Sequence, residues 1–104
     1  MGVSTGQIRQ VASDHFALVG PLTFDSVPLL WREGLPMAGG QRRVILDLAG
    51  ITRTDSAGLA LMIEWMRVAR DQNSSIRFRN VPLQLRAIAS ATGVEHLFAD
   101  DADR

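Results

Sequence analysis

The stretch from Val44 to Asp71, VILDLAGITRTDSAGLALMIEWMRVARD, constrains the fold more than any other part of the chain. It opens with the apolar run Val44-Ile45-Leu46, followed by Asp47-Leu48, a length that suits a strand buried on both faces. A loop is expected from Ala49 to Thr54, and Asp55-Ser56-Ala57-Gly58 then launches a helix. Asp55 is a good N-cap, because its carboxylate can accept from the unsatisfied amides of the first turn and complements the positive helix end. Ser56 stands in that first turn, small, hydroxylated and near solvent.

The helix that follows carries more apolar surface than one contact needs. At about 100° per residue, Leu59, Met62, Ile63, Met66 and Ala69 form one stripe, suited to packing on a sheet. Ala57, Leu61, Trp65 and Val68 form a second stripe beside it, and Ser56, Ala60, Glu64, Arg67 and Asp71 hold the remaining sector. The apolar arc covers roughly two-thirds of the circumference, where a surface helix shows a stripe of little more than 100°. Either the helix is sandwiched within its own domain or the second face is covered by another protein. So small a domain has little material for both sides, which favours the partner. Trp65 is the expected anchor, since tryptophan is over-represented among residues that dominate interfaces.

At 104 residues the chain is expected to form one domain over 1–104, with 1–6 and 100–104 flexible. The formal net charge is zero, which gives no overall electrostatic case for nucleic acid or for an anionic membrane. There is no cysteine, so neither a disulfide framework nor a thiolate metal site can form. No stretch approaches the roughly 18 to 20 apolar residues that span a bilayer, and the N-terminus has no signal-peptide pattern. The expectation is a cytoplasmic chain.

Taken in order, Gln7–Val11 and His15–Val19 read as a hairpin turning at Ala12-Ser13-Asp14, with Gly20-Pro21 breaking the second strand. A first helix is expected over Asp25–Glu33, capped by Thr23 or Asp25, with Val27, Leu30 and Trp31 on one face and Gly34 ending it. Pro36–Gln41, with its Gly39-Gly40, is a flexible connection into the central strand. After the helix Ser56–Gln72, Ile76 and Phe78 alternate with Arg77 and Arg79 in a strand with one buried face. A third helix spans Pro82–Thr92, and Gly93 is its natural C-terminal stop. Val94, Leu97 and Phe98 add a last strand or cover the core. Strands alternating with helices imply crossover connections and an α/β fold with a mostly parallel or mixed sheet.

No catalytic chemistry emerges. His15 and His96 are the only histidines, and neither sits in a metal-ligand spacing. Ser56 lacks the GxSxG elbow of a hydrolase nucleophile, and its neighbour Asp55 suits capping better than base catalysis. Neither a Walker A sequence nor a GxGxxG fingerprint is present. Ser56 has two readings. One is a first-turn residue making local hydrogen bonds. The other is a switch, in which a phosphate would place about two negative charges beside the second apolar stripe and oppose docking there.

The segment Asp47 to Leu61, D-L-x-G-x-x-x-x-D-S-A-G-L-A-L, resembles the STAS domain family. The likeness runs through nearly the whole chain: hairpin, helix ending near Trp31, central strand, DSAGL helix start, the IRFRN strand and the helix after Val81-Pro82. It implies a mixed β-sheet with helices packed on one side, and a regulatory binding module without catalysis or cofactor. Two branches compete. In anti-sigma factor antagonists the serine matching Ser56 is phosphorylated by an anti-sigma factor kinase. In the MlaB-like branch the domain binds the ATPase subunit (MlaF-like) of a phospholipid-transporting ABC complex that maintains outer-membrane lipid asymmetry. Gly58-Leu59-Ala60-Leu61-Met62 fits the second form, as do RFRNVP and Trp31 at the end of the first helix. That branch implies a protein peripheral to the inner membrane through its partner, with no insertion of its own. The expected partner-binding residues are Ser56, Ala57, Ala60, Leu61, Glu64, Trp65 and Val68.

Overall fold

The computed structural model describes residues 6–34 and 43–98. The expected flexible ends (apart from Gly6) and the Pro36–Gln41 connection lie outside the described residues. The elements run β1 (Gln7–Ala12), β2 (His15–Leu22), α1 (Val27–Glu33), β3 (Arg43–Thr54), α2 (Ser56–Asp71), β4 (Ser75–Arg79) and α3 (Leu83–Ala91), closing on a 3-10 turn at Glu95–Phe98. The sheet order is β1-β2-β3-β4. β1 pairs antiparallel with β2, while β2–β3 and β3–β4 are parallel, as the crossovers through α1 and α2 require. This is the expected mixed α/β sheet with three helices.

Alternation along the strands sorts the two faces of the sheet. Phe16 and Leu18 of β2, Val44, Leu46 and Leu48 of β3, and Ile76 and Phe78 of β4 form one buried cluster. Leu30 of α1, Leu59, Leu61, Met62 and Trp65 of α2, and Leu85 and Ala89 of α3 complete it. All three helices therefore cover one face. The opposite face holds His15, Ala17, Val19, Ile45 and Asp47, all half-buried, so β3 is central to the sheet yet packed on one side only. That corrects the expectation of a strand buried on both faces. Phe98, the last described residue, seals the cluster edge-on to Phe78, with ring centroids 5.3 Å apart and planes at 78°.

Two expected breaks are absent. β3 continues through Ala49–Thr54 because its second half pairs with the end of β2: Val19 with Gly50, Gly20 with Ile51, Pro21 with Arg53 and Leu22 with Thr54. β2 in turn passes through Gly20-Pro21, where a left-handed Gly20 (φ 96°) and a register irregularity accommodate the missing proline amide. The cap of α1 also differs. Neither Thr23 nor Asp25 caps it with a side chain. Buried Ser26 instead donates its hydroxyl to the Pro21 carbonyl (2.7 Å) and accepts from the Thr23 amide (2.9 Å), tying the turn together.

Candidate docking surface

Asp55 builds the N-terminal end of α2. Its Oδ1 accepts from the Ala57 amide at 2.9 Å, the expected cap, while Oδ2 accepts from the Phe24 amide at 3.0 Å. One carboxylate therefore holds both the start of α2 and the turn that enters α1. Gly58 lets this end approach β2: a Cβ there would stand 2.7 Å from the Leu22 carbonyl oxygen, 2.8 Å from Leu22 Cγ and against Thr54 Oγ1. With α2 seated this way, Ser56 is its first residue and is exposed. A depression of about 350 Å³ lies alongside, lined by Phe24, Asp25, Arg53, Asp55 and Gln84 among others.

One turn further along, Ala60 leaves space between α2 and α1. Val27 and Trp31 of α1 face Ala60, Leu61 and Glu64 of α2 across a groove of about 230 Å³, apolar except for Glu64. Trp31 is 45% exposed at its rim, and Phe24 is 79% exposed at the turn before α1. Leu29 and Leu83 are also exposed. Glu64 is engaged by Arg67 at 2.9 Å, and Arg67 also reaches Asp71 at 3.4 Å. The hydrogen bonds that Arg67 donates to the Glu64 carboxylate, reinforced by that group's charge, push the Arg67 guanidinium further up.

The expected partner-binding residues divide. Ser56 and Ala60 are exposed, and Ala57, Glu64 and Val68 are half-buried along the same side of α2. Leu61 and Trp65, expected to be substantially exposed, are 3% and 2% exposed and belong to the core. Trp65 offers nothing to a partner, and even its indole N–H is buried without an acceptor. The reason is the rotation of α2. Its buried residues, Gly58, Leu59, Leu61, Met62, Trp65 and Ala69, span an arc of about 160° centred on the seam between the two apolar stripes. Ile63, expected in the core, falls at the margin of that arc and is 37% exposed, while Met66 is only half-buried. α1, α3 and β4 all pack against α2 and supply the covering that so small a domain was thought to lack.

Trp31 likewise leaves the face it was expected to share with Leu30. The sequence reading missed Phe24, Trp31 and Leu83 as surface. The available signal was Phe24 set among the polar residues of Thr23-Phe24-Asp25, where no periodic pattern claims an aromatic.

Among the described residues no group of three or more His, Cys, Asp or Glu side chains could hold a metal ion. None of their helices is long and apolar enough to cross a membrane.

Fold and surface together define a small α/β domain with exposed aromatic side chains where α1 meets the start of α2. The model of the family described as Mlab, STAS domain, matches residues 6–99, and the chain belongs to that family. Comparison with curated protein sequences gives no match. Among solved structures the chain is similar to the anti-sigma factor antagonist SpoIIAA in its unphosphorylated form, with TM-score 0.68 and 17% identity over 89% of this chain and 84% of that one. A sulfate transporter family protein from Wolinella succinogenes gives TM-score 0.67 and 14% identity over 91% and 79% of the two chains. SLC26A9 gives TM-score 0.65 and 16% identity over 79% of this chain, which spans only 16% of SLC26A9. At these identities the structural likenesses establish the fold.

Proposed function

We propose that this chain is a non-catalytic STAS subunit that docks on the ATPase subunit of a phospholipid-transporting ABC complex maintaining outer-membrane lipid asymmetry, and supports its assembly or activity. On this reading it is cytoplasmic and peripheral to the inner membrane through that partner. The observation that carries the reading is the apolar groove between Trp31 and Ala60, one turn from exposed Ser56. A groove of about 230 Å³ accepts one large apolar side chain from a partner, the arrangement in which buried anchors dominate binding. The family described as Mlab supports the choice of partner. The test is calorimetric titration of the chain with the ATPase subunit. Ala60→Arg, which fills the groove from an exposed position, should abolish binding while leaving melting unchanged. Undiminished binding by that variant would sink the site, and failure of the wild-type chain to bind would sink the partner.

One observation favours a second reading. Ser56 is exposed at the first residue of α2, where a phosphate would meet the positive helix end. In this alternative the chain is an anti-sigma factor antagonist regulated by phosphorylation of Ser56 by an anti-sigma factor kinase, and likeness to an antagonist structure is compatible with it. Incubation with such a kinase and ATP, followed by intact-mass measurement on wild type and Ser56→Ala, separates the two.

A further inference from the structure

The arginines of this chain are not evenly distributed. The formal net charge is zero, and every one of the 11 basic residues is arginine. On the face of the sheet that no helix covers, strand alternation places Arg9 of β1, Arg43 of β3, and Arg77 and Arg79 of β4. Cross-strand register assembles them into rows: Arg9, Ala17, Asp47 and Arg79 across four strands, His15, Ile45 and Arg77 below them, and Arg43 beside Ser75. Among the described residues of the face, Asp47 is the one carboxylate. It is occupied by the Ala49 amide and the Asn80 side chain, both at 2.9 Å. Asp14 stands at the border, where a notch of about 380 Å³ is lined by Arg43, Ile45, Ser75 and Arg77. Arg9, Arg43 and Arg79 form no ion pair among the described residues, whereas Arg67 of α2 pairs with both Glu64 and Asp71. Arg79 even keeps its Nε buried without an acceptor.

We propose that this open face is a docking surface for the anionic phospholipid headgroups of a bilayer. Arg9, Arg43 and Arg79, three guanidinium groups without an ion pair among the described residues, stand against one spent carboxylate within the face and Asp14 at its border. That excess of positive charge calls for a negative partner, and arginine matches phosphate bidentately. The outer arginines of the long row stand about 14 Å apart, three strand spacings, which suits a planar array of phosphates. Between them Ala17, Val19 and Ile45 are half-buried, and Val11 near the end of β1 is exposed, so among the described residues the face presents charge with little apolar surface to insert into hydrocarbon. Its one aromatic ring among the described residues is the half-buried imidazole of His15, and no Phe, Tyr or Trp offers a nucleobase a stacking platform there. The exposed aromatics Phe24 and Trp31 belong to the helical side, so protein docking there leaves the arginine face open to a membrane. The inference does not depend on which protein the helical side binds.

Each arginine near an anionic surface strengthens binding about fivefold. The full chain is sedimented with vesicles of equal parts phosphatidylcholine and phosphatidylglycerol at about 10 mM salt, where screening is weak. Binding is expected to the mixed vesicles and not to pure phosphatidylcholine, and to be lost at about 0.5 M salt. Arg9→Gln with Arg43→Gln should weaken it about 25-fold. Arg32→Gln with Arg70→Gln, the same charge change on the helical side, should leave it within about twofold when the two pairs are compared at about 0.1 M salt, where a Debye length of about 10 Å screens charges on the far side of the domain. If the first pair melts low, Arg9→Gln alone, expected to lose about fivefold, carries the test. No sedimentation at low salt overturns the proposal, as does equal loss in the two pairs, which would reflect net charge alone. Weakened binding of a protein partner by the face variants, without vesicle binding, also overturns it and makes the face an interface for an acidic protein.

Discussion

Gly58→Ala is expected to destabilise this protein, against the ordinary rule for glycine in a helix. Helix propensity favours alanine over glycine by about 1 kcal/mol, and the substitution would also restrict the unfolded chain. At Gly58 the new methyl would meet the Leu22 carbonyl oxygen at 2.7 Å, Leu22 Cγ at 2.8 Å and Thr54 Oγ1. None of these can withdraw without loss. The Leu22 carbonyl accepts from the Asp55 amide (3.3 Å), Leu22 is fully buried, and Leu22 and Thr54 are paired in the sheet. Overpacking of this kind costs typically 1–3 kcal/mol and more when backbone must move. Because backbone must move, the upper end of that range, about 3 kcal/mol, applies; after offsetting the propensity gain of about 1 kcal/mol, a net loss of about 2 kcal/mol is expected, at about 4–8 °C in Tm per kcal/mol. Thermal and urea melts of the single variant measure it. A melting temperature equal to or above wild type would refute the claim that Gly58 is required by the seating of α2 on β2.

The two tryptophans should behave oppositely: Trp65→Ala should cost about 3–5 kcal/mol in denaturant melts. Trp31→Ala, at 45% exposure, should cost under about 1 kcal/mol yet weaken ATPase-subunit binding by at least about 2 kcal/mol in calorimetric titration. Asp55→Ala loses both the α2 cap and the bond to the Phe24 amide and should cost about 1–2 kcal/mol, read by thermal melting. Ser56→Ala should stay within about 1 kcal/mol because Asp55 still caps, whereas Ser56→Asp should reduce partner binding by more than stability. Equal binding of the two would place Ser56 outside the interface.

What could be read in the sequence followed from local physics. The helix start at Ser56 was legible because Asp55 carries its own reason, a carboxylate facing free amides, and β4 was legible because Ile76 and Phe78 alternate with arginines over a single buried face. The length of β3 was not. Gly50 and Arg53 show no strand pattern, and their conformation is set by pairing with the far end of β2, including a proline that a local rule treats as a stop. A residue whose structure depends on a distant partner gives no signal in its own neighbourhood.

The site failed in the sequence for a related reason. An apolar arc of two-thirds of a turn fixes how much of α2 is buried only once the rest of the domain is known, and its orientation is a further unknown. Splitting that arc into a core stripe and a partner stripe assumed that the sheet faces the middle of one stripe. It faces the seam between them. A rotation of about 70° from the expected direction moves Trp65 from surface to core and Ile63 from core to surface, without changing any residue's helicity. The surface lost at Trp65 is then supplied by α1, because Ala60 is too small to fill the space that Val27 and Trp31 frame. The groove thus belongs to neither helix alone. It arises from a small residue on one and a large one on the other, 29 positions apart in sequence, which no periodicity within a single element can show.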